Sequence, residues 1–333
     1  MIRKIFLCCF WYYSLCISVV QAQQYRSFSP PVEANPYLNP AYAERLPLLH
    51  TNSPIWGIFN GRYRILPQLA DGPATIFVNG DIYGRPGKGN ATLIGGLQFI
   101  RFNTDPIFTT HFNTRVAVAI PLKPDKIYLS AGASPGFLQY VFQTGRLLPV
   151  FPDDPLLAEA LQVRRDFSMG AGVYLSSKLD WPWQNESQYD YWFLGASMPQ
   201  INLNKTAAQP NWQTSNYYGY FGLRTELRPE FFLEPLVAMR YVKNVPLQME
   251  GVLRLKYTKD PRRTFDTFWV GAGWAGSRQK IAEMYYVEIG GGVPLYDRPF
   301  SFRVSYSFSS RSYISAFNSA LEFSFSFVPF KDE

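Results

Sequence analysis

The chain has 333 residues, of which 47% are hydrophobic, 17% aromatic and 17% charged, with 32 Lys and Arg against 25 Asp and Glu. Beyond its N-terminus no stretch approaches the roughly 20 continuous apolar residues of a membrane helix, which leaves a large soluble β protein or a membrane barrel. The basic excess is small and scattered, which argues against nucleic acid as a partner.

Residues 1–22 have the layout of a secretory signal peptide. Arg3 and Lys4 form a positive start, IFLCCFWYYSLCISVV an apolar stretch, and Val20-Gln21-Ala22 a small-residue cleavage site, with cleavage after Ala22. Removing Arg3 and Lys4 lowers the basic count from 32 to 30 against 25 acids, a formal +5. Cys8, Cys9 and Cys16 all lie in this segment, so the mature chain has no thiol for a disulfide, a metal or a nucleophile.

Residues 23–54 contain six prolines, which disfavour a central strand and suit a periplasmic or plug segment. Within it stands NPYLNPAYAE, with two Asn-Pro pairs. Asn39-Pro40 reads as an N-cap and first-turn pair, predicting a short helix over PAYAERL that Pro47 ends, and Asn35-Pro36 as a separate turn. The expected place is the periplasmic side, ahead of the barrel. There Tyr37, Leu38 and Tyr42 either pack against the inner mouth or lumen, or present a surface to a partner. Asn35, Pro36, Tyr37, Asn39, Pro40 and Tyr42 are the candidate docking residues.

From residue 55 to 330 the pattern is that of strands. In FSMGAGVYLS, Phe167, Met169, Ala171, Val173 and Leu175 alternate with Ser168, Gly170, Gly172, Tyr174 and Ser176. In LQMEGVLRLKY, Leu247, Met249, Gly251, Leu253, Leu255 and Tyr257 oppose Gln248, Glu250, Val252, Arg254 and Lys256. The closing run ALEFSFSFVPF sets Leu321, Phe323, Phe325 and Phe327 against Glu322, Ser324 and Ser326. One face is apolar and the other wet, as a barrel wall between lipid and lumen requires. A secreted β-sandwich also alternates, but it has no place for a whole charged face on strands this long.

Runs near 55–65, 73–82, 92–102, 108–121, 126–137, 167–177, 188–199, 216–227, 231–243, 246–258, 266–277, 283–294, 300–311 and 319–330 predict fourteen strands. With the first connection outward, the long connections 138–166 and 200–215 fall outside and the turns at 122–125, 228–230 and 294–299 in the periplasm. In the longer loop, Asp154 and Pro155 open a possible helix, DPLLAEALQ. The fold expected is an all-β transmembrane antiparallel barrel of about fourteen strands behind a short Pro-rich segment. Hydrocarbon offers no hydrogen-bond partner to a free strand edge, so such a sheet must close.

Residue types argue against catalysis. The two histidines are His50, in the N-terminal segment, and His111, on the polar face of its strand with Thr109, Asn113 and Arg115. Outer-membrane lipases set a triad toward lipid, whereas His111 faces the lumen. No spacing recommends a metal or cofactor site. The glycines of GAG at 271–273 and GGG at 290–292 sit inside strands, where they relieve crowding and permit curvature. Inward positions from the eighth strand on include Arg224, Glu226, Glu234, Arg240, Glu250, Arg254, Lys256, Glu288, Arg303 and Glu322. Opposite signs interleave and predict cross-strand pairs of about 0.2–1 kcal/mol each.

NPYLNPAYAE resembles the N-terminal Asn-Pro-Ala-Tyr-Ala signature of the PorP/SprF family of type IX secretion and gliding proteins. GRYRILPQL and GPATIFVNGDIY resemble that family's first two strands. YYGYFGLRTELRPEFFLEPLVAMRYVKNVPLQMEGVLRLKY and TFWVGAGWAGS resemble its C-terminal half. The likeness covers roughly 35 to 328, with departures at Glu44, where a small residue is usual, and at Ile65-Leu66-Pro67-Gln68, where Gln-Trp is usual. It implies an outer-membrane, non-enzymatic component without cofactor. Its implied partners are type IX secretion components, either the periplasmic ring or the C-terminal domains of exported adhesins. The other function expected of such a barrel is a porin for small solutes.

Overall fold

The computed structural model describes residues 35–43, 55–65, 74–85, 91–104, 107–123, 126–143, 161–178, 190–202, 216–242, 247–258, 267–277, 284–295, 298–309 and 319–331. A one-turn helix, α1 (Asn35–Leu38), precedes fourteen strands. They are β1 (Ile55–Ile65), β2 (Ala74–Gly84), β3 (Thr92–Thr104), β4 (Ile107–Lys123), β5 (Ile127–Gln143), β6 (Leu161–Lys178), β7 (Tyr191–Asn202), β8 (Asn216–Arg228), β9 (Phe231–Val242), β10 (Gln248–Thr258), β11 (Thr267–Ser277), β12 (Met284–Leu295), β13 (Arg298–Ser309) and β14 (Ser319–Lys331). Every strand pairs antiparallel with its sequence neighbours, and β1 pairs β14 to close the barrel. The predicted number and order of strands hold.

The alternation read from the sequence is the wall itself. On β10, Met249, Leu253 and Leu255 are exposed on the outside, while Val252, Arg254 and Thr258 are buried on the inside. On β14, Phe323 and Phe325 point outward, and Glu322 and Ser324 inward. Exposure is inverted relative to a soluble protein: Phe137 is 66% and Val116 60% exposed, whereas Arg115 and Glu322 are each 1% exposed. A sandwich would bury the first pair and hydrate the second, so this distribution belongs to a wall in lipid.

Three of the connections fix the orientation. The gaps 144–160 and 203–215 lie at one end of the barrel, and the two-residue turn Pro229-Glu230 lies at the other. Long loops are outer and tight turns periplasmic, which puts both described ends of the wall, β1 and β14, at the periplasmic rim. Tyr63, Tyr217, Tyr241, Trp274, Tyr285 and Tyr306 are exposed toward the outer end, some in ring contact, as in Tyr217–Tyr241 at 6.0 Å. They form the interfacial girdle expected of Tyr and Trp.

Two expectations need correction. β5 runs on to Gln143 and β6 starts at Leu161, paired residue for residue, so the predicted loop 138–166 shrinks to 144–160. The strand was missed because its inward positions there include apolar Leu138 and its outward ones Gln139 and Arg165, which blurs the alternation. Leu161 and Gln162, the end of the expected helix DPLLAEALQ, are strand, and the rest of that helix lies outside the described residues. The second correction concerns the Asn-Pro pairs, and it shapes the site.

Candidate functional site: a segment seated in the lumen

The two Asn-Pro pairs exchange roles. Asn35-Pro36 opens α1, with Pro36 in its first turn, where a missing N–H costs nothing. Asn39-Pro40 opens a tight turn instead: the Tyr42 N–H donates to the Asn39 carbonyl at 3.0 Å, and the Ala41 N–H to Asn39 Oδ1 at 2.9 Å. Both structures begin with the same dipeptide, and a Pro at the second turn position suits either. Tertiary contacts choose between them.

Those contacts come from inside the barrel. Asn39 is fully buried; its Nδ2 donates to the Val173 carbonyl at 2.9 Å and to the Tyr220 hydroxyl at 3.4 Å. The Arg115 Nε donates to the Pro40 carbonyl at 2.8 Å, and its Nη1 to Asp81 Oδ2 at 2.6 Å. The Ser197 hydroxyl donates to the Leu38 carbonyl at 2.5 Å. Strands β4, β6, β7 and β8 thus hold two carbonyls and the one side-chain amide of Leu38-Asn39-Pro40, with Asp81 of β2 steadying Arg115. The wall also makes room for it. A Cβ at Gly132 would stand 2.5 Å from the Pro40 carbonyl oxygen, and one at Gly172 would collide with Asn39 Oδ1.

Aromatic contacts give the direction of the segment. Tyr37 meets Phe77 at 6.4 Å and His111 at 6.2 Å, near the outer starts of β2 and β4. Tyr42 meets Tyr174 at 5.3 Å, near the periplasmic end of β6. Residues 35–43 therefore descend through the lumen from its outer half, deeper than a periplasmic segment ahead of the barrel, and Tyr37, Leu38 and Tyr42 pack inside it. Pro36, Asn39 and Pro40 are buried, and Tyr37 and Tyr42 half-buried. While the segment is seated, these candidate docking residues face the barrel's own wall. His111 is buried between Tyr37 and Phe102, inside the lumen as its strand face predicted; His50 lies outside the described residues.

The profile of the family described as "Type IX secretion system membrane protein PorP/SprF" matches residues 20–327. The chain belongs to the PorP/SprF family. Similar solved structures include the CymD monoaromatic hydrocarbon channel (TM-score 0.56, 10% identity, 89% of this chain and 92% of that one). The P. putida toluene transporter TodX superimposes with a TM-score of 0.53 at 7% identity, covering 90% and 94%. A Pseudomonas aeruginosa FadL homologue gives 0.51 at 10% identity, covering 91% and 95%. At these identities the likeness is one of fold, that of an outer-membrane barrel. No curated protein matches the sequence.

Across the lumen from its seated segment, this PorP/SprF protein carries a buried ion chain. Arg254 on β10 pairs with Glu288 on β12; Glu288 Oε2 also meets Arg303 Nη1 on β13 at 3.4 Å. Arg303 Nη2 reaches Glu322 on β14 at 2.5 Å, and Arg62 on β1 lies 3.8 Å from the same carboxylate. Arg254 passes over β11 because Gly271 has no side chain: a Cβ there would lie 2.7 Å from Glu288 Oε1 and 3.0 Å from Arg254 Cγ. The predicted interleaving of charges holds for Arg254, Glu288, Arg303 and Glu322, and Arg224 lies 3.7 Å from Glu234. Arg62 and the Asp81–Arg115 pair were missed. Their signal was present in the inward parity of Arg62 with Asn60 and Arg64, and of Asp81 with Asn79.

Proposed function

We propose that this PorP/SprF barrel is a non-enzymatic docking component of the type IX secretion machinery, binding either its periplasmic ring or the C-terminal domain of an exported adhesin. The observation that supports a docking role over a conduit is the seated segment: residues 35–43 occupy the lumen a solute would cross, held by Arg115, Ser197 and Val173. Residues 1–22 are read as a signal peptide that exports the chain, residues 23–54 as a Pro-rich periplasmic or plug segment, and 55–330 as the barrel. Asn35, Pro36, Tyr37, Asn39, Pro40 and Tyr42 would meet a periplasmic partner only after leaving the lumen.

A second reading is a channel for small solutes. It is supported by the hydrocarbon channels among the similar folds and by an inward aromatic cluster, Tyr174, Phe193, Tyr218 and Tyr220. Affinity purification of the tagged protein from solubilised outer membranes separates the two. Recovery of ring components or of an adhesin C-terminal domain, with no conductance in planar bilayers, is the expected result. Conductance without either partner would make the channel reading the correct one.

A further inference from the structure

Among the described residues, the longest stretch of strand that a neighbour leaves unpaired lies above β7. On β6, residue 168 is the outermost to pair with β7, where it meets Asn202, the last residue of that strand. β6 itself continues outward through 161–167, paired on its other side with β5 as far as Gln143–Leu161. On the side that β7 leaves, these seven residues are an uncovered edge among the described residues. In an antiparallel sheet about half of a strand's N–H and C=O groups point to each neighbour, so three or so residues here present a donor and acceptor to no described strand. The outward face of this edge is apolar around one charge: Val163 is 49% and Phe167 41% exposed, with the exposed Arg165 between them. Phe137 on β5, 66% exposed, meets Phe167 at 5.8 Å and widens that face. On the inner face Arg164 and Asp166 pair with each other at 2.9 Å. The chain's own next residues, LNKTAAQPNWQTS at 203–215, carry Pro210 and no alternating apolar run that would match Val163 and Phe167.

We infer that the 161–167 edge of β6, at the outer rim, accepts an extended strand from a partner polypeptide. The incoming strand adds by main-chain hydrogen bonds, sets apolar side chains beside Val163 and Phe167, and places an acidic residue against Arg165. This rests on the docking reading, and gives it a place: the outer end, where an exported polypeptide emerges, rather than the periplasmic ring.

Hydrogen exchange at the amides of 161–167 tests it, read in outer-membrane vesicles that carry the secretion machinery and in the purified protein in micelles. In micelles the edge amides exchange freely; in vesicles they slow by about fivefold or more, the effect of one typical net hydrogen bond per amide. Amides of β12, paired on both sides, exchange alike in the two samples. Equally fast exchange of the edge in both samples overturns the inference. Protection already present in micelles also overturns it, since the chain's own residues would then cover the edge. Val163→Pro and Arg164→Pro sharpen the result, because successive N–H groups point to opposite sides of the strand. The one that removes a donor on the β7 side keeps the heat-modifiable gel shift and loses the protection seen in vesicles. If a secretion partner is recovered while the edge stays unprotected, docking stands and this site for it falls.

Discussion

Arg115 on β4 binds the carbonyl of Pro40 at 2.8 Å through Nε, so one guanidinium of the wall reads the backbone of a segment 75 residues earlier. Its Nη1 is held at the same time by Asp81, at 2.6 Å. The planar fork of arginine serves both at fixed angles, which an ammonium cannot do. Arg115→Met therefore has two effects. It releases residues 35–43, and it leaves Asp81 buried without a counter-charge at a cost of about 3–5 kcal/mol. Adding Asp81→Asn restores most of the barrel's resistance to urea but not the seating. Protease sensitivity of 35–43 in folded, heat-modifiable protein reads the second effect apart from the first.

A methyl group tests the seat from the other side. Gly172→Ala places a Cβ on Asn39 Oδ1, and Gly132→Ala places one against the Pro40 carbonyl, whereas a Cβ at Gly95 meets nothing within 4 Å. The first two variants are expected to fold with 35–43 displaced, exposed to protease and accompanied by ion conductance in planar bilayers. Gly95→Ala should behave as wild type. Conductance unchanged in all three would mean that the segment does not close the lumen.

Glu288 is the centre of the ion chain, touching Arg254 and Arg303 together. Glu288→Gln removes the carboxylate that Arg254 and Arg303 share, while Arg303 keeps Glu322, and a loss of about 3–5 kcal/mol follows for breaking the buried Arg254 pair. Urea titration in lipid vesicles measures it. Arg254→Met alongside Glu288→Gln should recover part of the loss, since the guanidinium whose carboxylate was removed is then gone too. A double variant as unstable as the single would show that the ion chain is not what holds β10 to β12.

Leu253 and Arg254 are adjacent on β10 and face opposite solvents, Leu253 51% exposed on the outer wall and Arg254 buried in the lumen. Leu253→Arg should destabilise the barrel by about 2–4 kcal/mol in vesicles, the cost of a cation at the bilayer midplane. The same residue introduced at Gln248, on the lumen face near the outer rim, should cost far less. Folding yields into vesicles, compared at matched urea, provide the check.

The wall was legible because its two environments differ at every step. Lipid outside and a polar lumen inside impose a period of two, and that period survives residue by residue in 167–176 of β6, in β10 and in β14. It fails where the environments stop differing. In 138–143 and 161–166, apolar Leu138 faces inward and Arg165 outward, so two of the longest strands lost their outer ends in the sequence reading. The inward charges were likewise legible as signs on a face, but their partners were not. Arg254 and Glu288 stand 34 residues apart, and it is Gly271, on the strand between them, that lets them meet.

By itself the sequence determined the strand number, the inside and outside of each strand and the family, since each is written in local alternation or in short ordered motifs. Only the tertiary structure decided what the Pro-rich segment does. Asn35-Pro36 and Asn39-Pro40 have the same local chemistry, and either can start a helix or a turn. The second became a turn because Val173, Arg115 and Ser197, brought together from β6, β4 and β7, take the Asn39 amide, the Pro40 carbonyl and the Leu38 carbonyl just before them, contacts that no local pattern encodes.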